Sequence, residues 1–510
     1  MKKILVIAVC VLMVSTLAAG CSSKGNSNGG GTSGTANAGK TTLTIAMASD
    51  MNGLDPFNTA ASSEVLASYF IYDGLFNIKT DNTYEPLVAE KWNISDDGLT
   101  YTFTIRQGIK FQDGNTLTPE DVVYSFDRAA QSPYMSMLSG NIKSVAANGQ
   151  DVVVTLKSAD SSFMAVLAQV FMVFEKAYTT QADTDKTIAT KPMGCGAYSV
   201  VSFGNNNLVL KANPDYYLGK PPITDVTIRI IPDASTALIA LQNGEIDMFN
   251  YAPKAQIETL KSDPNIDVHI YPHYKTMLAE LNTKVKGLDN QQVRQAINYA
   301  VNRQNMVDVC EEGYGAPATG LINSVIFGYS DKITGYTYDI NKAKQMLSDA
   351  GYPDGAGIPT LTIDCMAVAQ DQATILQADL KAIGIDAKVN VLEANAMMSR
   401  ASNGENQITL FGMEFGRDAA FYENMVGTKA VFNWTQHSIA GVDDLFAQAK
   451  STTDANTRID LYTQAMNLVN QDGSFVALYF PQTIFTVAKG LQIDSYWNGS
   501  MPKGFDLSWK

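Results

Sequence analysis

Between Leu361 and Gly412 five short segments follow one another with alternating period. Leu361–Cys365, Ile385–Leu392 and Ile408–Gly412 read as strands, and Ile375–Ile383 and Ala394–Ser402 between them carry helical spacing. Strand–helix–strand alternation commits a chain to an α/β fold in which helices cover the sheet. With the first 20 residues removed the chain still has about 490, more than one hydrophobic core serves, so two or three lobes are expected.

The N-terminus sets the compartment. Lys2 and Lys3 precede an almost wholly apolar run, Ile4–Val14, and small residues lead up to a cysteine. That is the three-part layout of a secretory signal. About a dozen apolar residues are too few to span roughly 30 Å of hydrocarbon. Leu17-Ala18-Ala19-Gly20-Cys21 resembles the bacterial lipoprotein box, which implies cleavage before Cys21 and a lipid on it; the alternative is an ordinary signal with a chance cysteine. Residues 22–40 hold no aliphatic side chain larger than alanine and cannot bury enough apolar surface to fold. As a Gly/Ser coil they would reach roughly 20–25 Å. The expected arrangement is a folded part starting near Thr41, tethered at the extracytoplasmic face of a bacterial cell membrane.

A net charge of −14 with no Lys/Arg stripe argues against nucleic acid. No later run is long enough to cross a membrane; Phe163–Phe174, interrupted by Gln169, reads as core. Beyond Cys10 and Cys21, the cysteines are Cys195, Cys310 and Cys365, an odd number of thiols in apolar or small surroundings that reads as buried and structural. Three histidines without HExxH or paired CxxC give no metal site and call for no cofactor. There is no GxSxG elbow and no phosphate loop, and the Glu120-Asp121 pair sits at a helix start, where the helix dipole accounts for it. Catalysis is therefore not expected.

Local signals are legible along the chain. Leu43–Ala48 alternates as a strand, and Glu64–Tyr72 reads as a short helix. Trp92 and Ile94, the turn Ser95-Asp96-Asp97-Gly98, then Tyr101, Phe103 and Ile105 make a hairpin. Thr118-Pro119-Glu120-Asp121 starts a helix with Val122, Val123, Phe126 and Ala129 on its apolar stripe. Asp233 precedes a helix that Gly244 ends, with a strand following at Ile246. Val442–Lys450 and Asn456–Asn470 are amphipathic helices, and Phe475–Phe480 is a short strand. No internal repeat is visible.

The stretch Leu99-Thr-Tyr-Thr-Phe-Thr-Ile-Arg-Gln-Gly-Ile-Lys-Phe-Gln-Asp-Gly-Asn-Thr-Leu-Thr-Pro-Glu-Asp-Val-Val-Tyr-Ser-Phe-Asp-Arg128 resembles the signature region of family 5 extracellular solute-binding proteins, the peptide/nickel type serving ABC importers. Further motifs stand in family order: Pro192-Met-Gly-Cys-Gly-Ala-Tyr198, Asn213-Pro-Asp-Tyr-Tyr217, Ile231-Pro-Asp-Ala-Ser235, Leu241-Gln-Asn-Gly-Glu-Ile-Asp247, Val293–Arg303 and Ala343–Pro353. The resemblance covers the chain from Thr41 onward. It implies a two-lobed, periplasmic-binding-protein-like α/β clamp with an extra subdomain and a ligand cleft between the lobes. The expected division is a signal (1–20), a tether (21–40), lobe I (41–270) and lobe II (271–484). Lobe I comprises 41–70 and 187–270, with subdomain 71–186 inserted and 485–510 completing it. Crossovers are expected near Val268–Asn282 and Leu478–Val487.

The same resemblance implies capture of a short peptide for ABC permease subunits by a monomer. A nickel chelate, opine or oligosaccharide, or a ligand-sensing receptor on the same scaffold, are the alternatives. Peptide-binding relatives carry Gly-Trp followed by an aspartate that holds the peptide ammonium. Here that stretch is Leu410–Phe421, with Met413 in the tryptophan position and the aspartate position near Gly416-Arg417-Asp418. Glu414 or Asp418 would then hold a ligand ammonium, and Arg417 a carboxylate. The alternative is Arg417 paired with Asp418 or Glu414 at the surface. Met51, Asn52, Tyr134, Met135, Cys195, Phe415, and Trp434 with His437, are the other loop residues weighed as cleft contacts against simple packing.

Overall fold

The computed structural model describes residues 39–59, 61–181, 184–493 and 502–510. The signal, Cys21 and the tether up to residue 38 lie outside the described residues. Among the described residues a twelve-stranded sheet runs the length of the protein. In chain order its strands are β1 (Thr42–Met47), β2 (Tyr198–Gly204), β3 (Asn207–Ala212), β4 (Asp225–Ile230), β5 (Met248–Phe249), β6 (Ile266–Pro272), β7 (Thr276–Leu281), β8 (Gly315–Pro317), β9 (Leu361–Cys365), β10 (Ala387–Val391), β11 (Ile408–Met413) and β12 (Phe475–Ala488). Spatially they run β10-β9-β11-β7-β12-β5-β1-β4-β3-β2, with β6 and β8 also paired to β12.

The alternation between Leu361 and Gly412 is realised as parallel pairing of β9 with β10 and β11. A helix, α2 (Gln370–Ala382), lies between β9 and β10 in the chain and packs on both. These strands share a core with Val293, Ile297 and Leu478, whereas β1, β4 and the hairpin Ala89–Ile105 close a separate core around Phe70, Phe103 and Phe171. Separate cores toward the two ends of one sheet mark the two lobes.

In the hairpin Trp92 stands opposite Phe103, and Tyr101, Phe103 and Ile105 are fully buried while the threonines between them are half-exposed. The turn closes with the Gly98 N–H donating to the Ser95 carbonyl at 2.8 Å. Helix α1 (Pro119–Ala129) starts as its sequence dictates. The Asp121 carboxylate reaches back to accept the Thr118 N–H at 2.8 Å, one half of a capping box. The run at Phe163–Phe174 is core apart from Gln169 and Val170, with a helix over Phe163–Val170.

The largest departure from the sequence reading is β12. Instead of ending at Phe480 it runs on through Pro481 to Ala488, 14 residues in all. Its first part pairs with β7 and its second with β6, and both pairings are antiparallel. The short connection His273-Tyr274-Lys275 between β6 and β7 lies at the level where β12 changes partner. Proline donates nothing to a ladder and is tolerated where pairing changes. There the Pro481 carbonyl accepts from the His273 N–H at 3.2 Å. Both crossing segments therefore interrupt their ladders at one level, between the two cores. The strand expected at Ile246 is likewise displaced, to Met248–Phe249.

Candidate functional site

Two chains of hydrogen bonds deliver side chains to that level. Antiparallel to β7, with Met413 opposite Thr276, β11 ends by presenting Met413, Glu414 and Phe415. The β6–β7 connection presents His273 and Lys275. The Glu414 carboxylate lies 3.8 Å from both the His273 Nε2 and the Lys275 Nζ, close enough for attraction but too long for a hydrogen bond. Its side chain keeps 42% of its surface exposed. His273 Nδ1 accepts the Lys275 N–H at 2.9 Å, so in the neutral ring Nε2 bears the hydrogen. Burial pushes the His273 pKa down, against the pull of Glu414, and the ring is neutral at neutral pH. Lys275 is then the positive neighbour of this carboxylate.

Glu414 borders two crevices. One, of about 390 Å³, is polar and takes in Lys254, His273, Lys275, Glu311 and Gln372. Lys254 and Glu311 form an ion pair across it, and Gln372 donates to the Tyr479 hydroxyl at 2.9 Å. The second, of about 230 Å³, is more apolar. Its walls are Val65, Tyr69, Val170 and Met172 from lobe I, and Tyr274, Phe415 and Gly416 from beyond the crossing. Both lobes thus contribute to a cleft with one half-exposed carboxylate at its waist. Such a concave site with few polar groups is where a small ligand is held.

Of the residues weighed from sequence, Glu414 and Phe415 line this cleft, and Met413 precedes them, half-buried against the lobe II core. Phe415 packs against cores on both sides. The others stand elsewhere. Asp418 is buried at the start of the turn Ala419–Tyr422, where it accepts the Ala420 N–H at 2.9 Å and pairs with Arg458 at 2.7 Å. Arg417 is buried rather than at the surface, and its Nη2 donates to the Thr80 carbonyl at 2.9 Å.

Cys195 is fully buried in the lobe I core, and burial first, then Asp73, push its thiol up. The flanking glycines have a steric reason: a Cβ at Gly194 would lie 2.2 Å from the Ile71 carbonyl oxygen. Asn52 is exposed and its N–H is held by Glu64 at 2.6 Å, while Met51 packs half-buried on the lobe I core. Tyr134 is 57% exposed and Met135 is buried. Trp434 is buried, its ring centroid 4.9 Å from Phe411. With His437 it borders a separate crevice of about 220 Å³ that shares no residue with the Glu414 chambers. His437 is held by Thr435 and by the Val426 carbonyl, and burial keeps it neutral.

Sequence reasoning missed His273, Lys275, Lys254 and Glu311. The available signal was the polar interruption His273–Lys275 inside an apolar crossover, because a crossing between lobes borders whatever the lobes enclose.

Comparison with known proteins places these features in a family. The profile of bacterial extracellular solute-binding proteins, family 5 Middle, matches residues 83–433. The dipeptide-binding protein of Escherichia coli K12 is 30% identical over 465 residues, 84% of this chain and 86% of that protein. Heme-binding protein A of Haemophilus influenzae is 28% identical over 445 residues, 80% of this chain and 81% of that one. The periplasmic binding protein DppA of Helicobacter pylori, solved with the peptide STSA, superposes with a TM-score of 0.76 at 27% identity, covering 92% of this chain and 98% of that one.

Proposed function

The chain belongs to the family 5 bacterial extracellular solute-binding proteins, and we propose that it captures a short peptide in the cleft at Glu414 and hands it to ABC permease subunits. Members of this family bind solutes for transport and are not enzymes. They act outside the cytoplasm, and no helix among the described residues is long and apolar enough to cross a membrane. Attachment through a lipid on Cys21, with residues 22–40 as a tether, and a monomeric state complete the proposal. So does the division into lobe I (41–270, completed by 485–510), its insertion 71–186, and lobe II (271–484).

The observation that carries the ligand assignment is the half-exposed Glu414 carboxylate between a charged chamber and an apolar one. A peptide zwitterion offers an ammonium for Glu414, a carboxylate for the Lys275 side and an apolar side chain for the walls at Tyr69, Val170 and Phe415. Chambers split by charged walls suit such a ligand better than the broad flat macrocycle named for the heme-binding relative. The dipeptide-binding relative supports the same reading.

Mass spectrometry of the gently purified native protein is the direct test. A ladder of peptide masses is expected; a single small mass or a metal chelate would overturn the peptide assignment. A second measurement addresses the residue. Titration calorimetry with the dipeptide Ala-Phe should find Glu414→Gln weakened by about 10- to 100-fold, the worth of a hydrogen bond to a charged group. N-acetylation of the dipeptide should remove that difference. Equal affinity of the two proteins for the free dipeptide would take Glu414 out of the site.

A further inference from the structure

We infer that the inserted segment 71–186 is the closing jaw of the clamp and that Arg417 is its latch, a positioning residue that acts on ligand capture without touching the ligand. This rests on the clamp reading above and adds to it a device that no similarity to relatives supplies.

The jaw offers two tips to lobe II. One is the turn between strands Phe76–Ile78 and Tyr84–Pro86, tightened by the Asn82 N–H donating to the Lys79 carbonyl at 3.0 Å, with Asn82 at φ 64°. This turn holds the Thr80 carbonyl out, and Arg417 Nη2 donates to it at 2.9 Å. Beside it the Asn82 side-chain amide donates to the Val325 carbonyl at 3.4 Å.

The other tip is Asp160-Ser161-Ser162. It is stiffened by Asp160 accepting the Ser162 N–H at 3.0 Å and by the Tyr101 hydroxyl donating to the Asp160 carbonyl at 2.9 Å. Ser161 donates its N–H to the Lys450 carbonyl and its hydroxyl to the Ala449 carbonyl, each at 3.0 Å. Those carbonyls end helix α3 (Val442–Lys450), and the last carbonyls of a helix have no partner within it. Lobe I therefore caps a lobe II helix.

Two features make Arg417 the latch. Its backbone is fixed on both sides: the Phe327 N–H donates to the Arg417 carbonyl and the Ala419 N–H to the Phe327 carbonyl, each at 2.8 Å. Its position is also only three residues beyond Glu414, with Gly416 between them at φ +131°, pressed so closely on Gln169 of the jaw that a Cβ would lie 2.5 Å from its Oε1. One short segment thus carries a cleft carboxylate, a close contact with the jaw and the latch. A ligand that seats Glu414 sets the position from which Arg417 reaches Thr80. Every bond named here that crosses between the lobes ends on a backbone carbonyl, so the clasp is indifferent to which ligand is enclosed.

Hydrogen exchange of the unliganded full chain, followed by mass spectrometry, tests the latch apart from any choice of ligand. The Ser161 amide is expected to be protected in the wild type and to exchange at least about tenfold faster in Arg417→Ala, the equivalent of one charged hydrogen bond. Amides of β9, such as Ile363, should be unchanged. Arg417→Lys, which keeps the charge and loses the fork, provides the comparison if the alanine variant does not fold, with the same acceleration expected. An unprotected Ser161 amide in the wild type, or unchanged Ser161 exchange in a folded Arg417 variant, would overturn the proposal and leave the peptide reading standing.

Discussion

Arg458→Ala is expected to lower the unfolding free energy by about 3–5 kcal/mol, the usual cost of removing one partner of a buried ion pair. Arg458 comes from helix α4 (Ala455–Asp472) and meets Asp418 at 2.7 Å, with both side chains buried. Burial pulls the guanidinium pKa down and Asp418 more than reverses it, leaving it raised; burial lifts the Asp418 carboxyl while Arg458 opposes that lift. The guanidinium also stacks 4.4 Å from the Phe327 ring centroid, so alanine removes packing as well as charge. Asp418→Ala should cost a similar amount, and the double variant less than the sum of the two. Denaturant titration of the four proteins gives the coupling. In Arg458→Ala the stranded carboxyl has a raised folded-state pKa, so the deficit should shrink on acidification as Asp418 takes up a proton. A deficit below about 1 kcal/mol at neutral pH would place the pair in the class of exposed bridges.

Glu280→Gln is expected to stabilise the protein at neutral pH and not at pH 4. Glu280 sits in the middle of β7, opposite Thr409 and Phe475 on the neighbouring strands, and is fully buried. The amides of Trp434 and Thr435 face its carboxyl and favour the charged form, yet neither oxygen has a hydrogen-bond partner among the described residues. Burial dominates and holds the acid well above its ordinary value of 4.5. Between that value and the raised one the native state binds one more proton than the unfolded chain. Stability therefore falls by about 1.4 kcal/mol per pH unit over the interval. Glutamine does not titrate, so its advantage should grow at that slope from about pH 4.5 and level off above the folded-state value. Urea midpoints from pH 4 to 8 should diverge; parallel curves would mean that the carboxyl is already solvated or paired.

Local elements were legible because their causes are local. The Asp-Gly turn, the Thr118–Asp121 start of α1 and the alternation from Leu361 to Gly412 each rest on residues a few positions apart. What sequence left open depends on distant partners. Asp418 and Arg417 carry the charges a peptide site needs, but Arg458, 40 residues on, claims Asp418, and a carbonyl 337 residues away receives Arg417. Nothing within the Leu410–Phe421 stretch records either partner. Glu414 came into view through the resemblance of Leu410–Phe421 to the ammonium-holding stretch of peptide-binding relatives, while its companions His273 and Lys275 reach it only because β7 pairs with β11. The 14-residue β12 was cut short at Pro481 because proline normally closes a strand; here it coincides with a change of partner.

That strand also dictates an order of events during synthesis. In the sheet β12 lies between β7 and β5, so its ladder bonds to both are missing until residues 475–488 have emerged. By then β1 to β11 have all been made, and each lobe presents an unsatisfied edge to the other. The nascent chain must shield those edges from wrong pairing for nearly its whole length. Residues 475–488 then close the edges of both lobes together, so neither lobe has its sheet complete before they emerge.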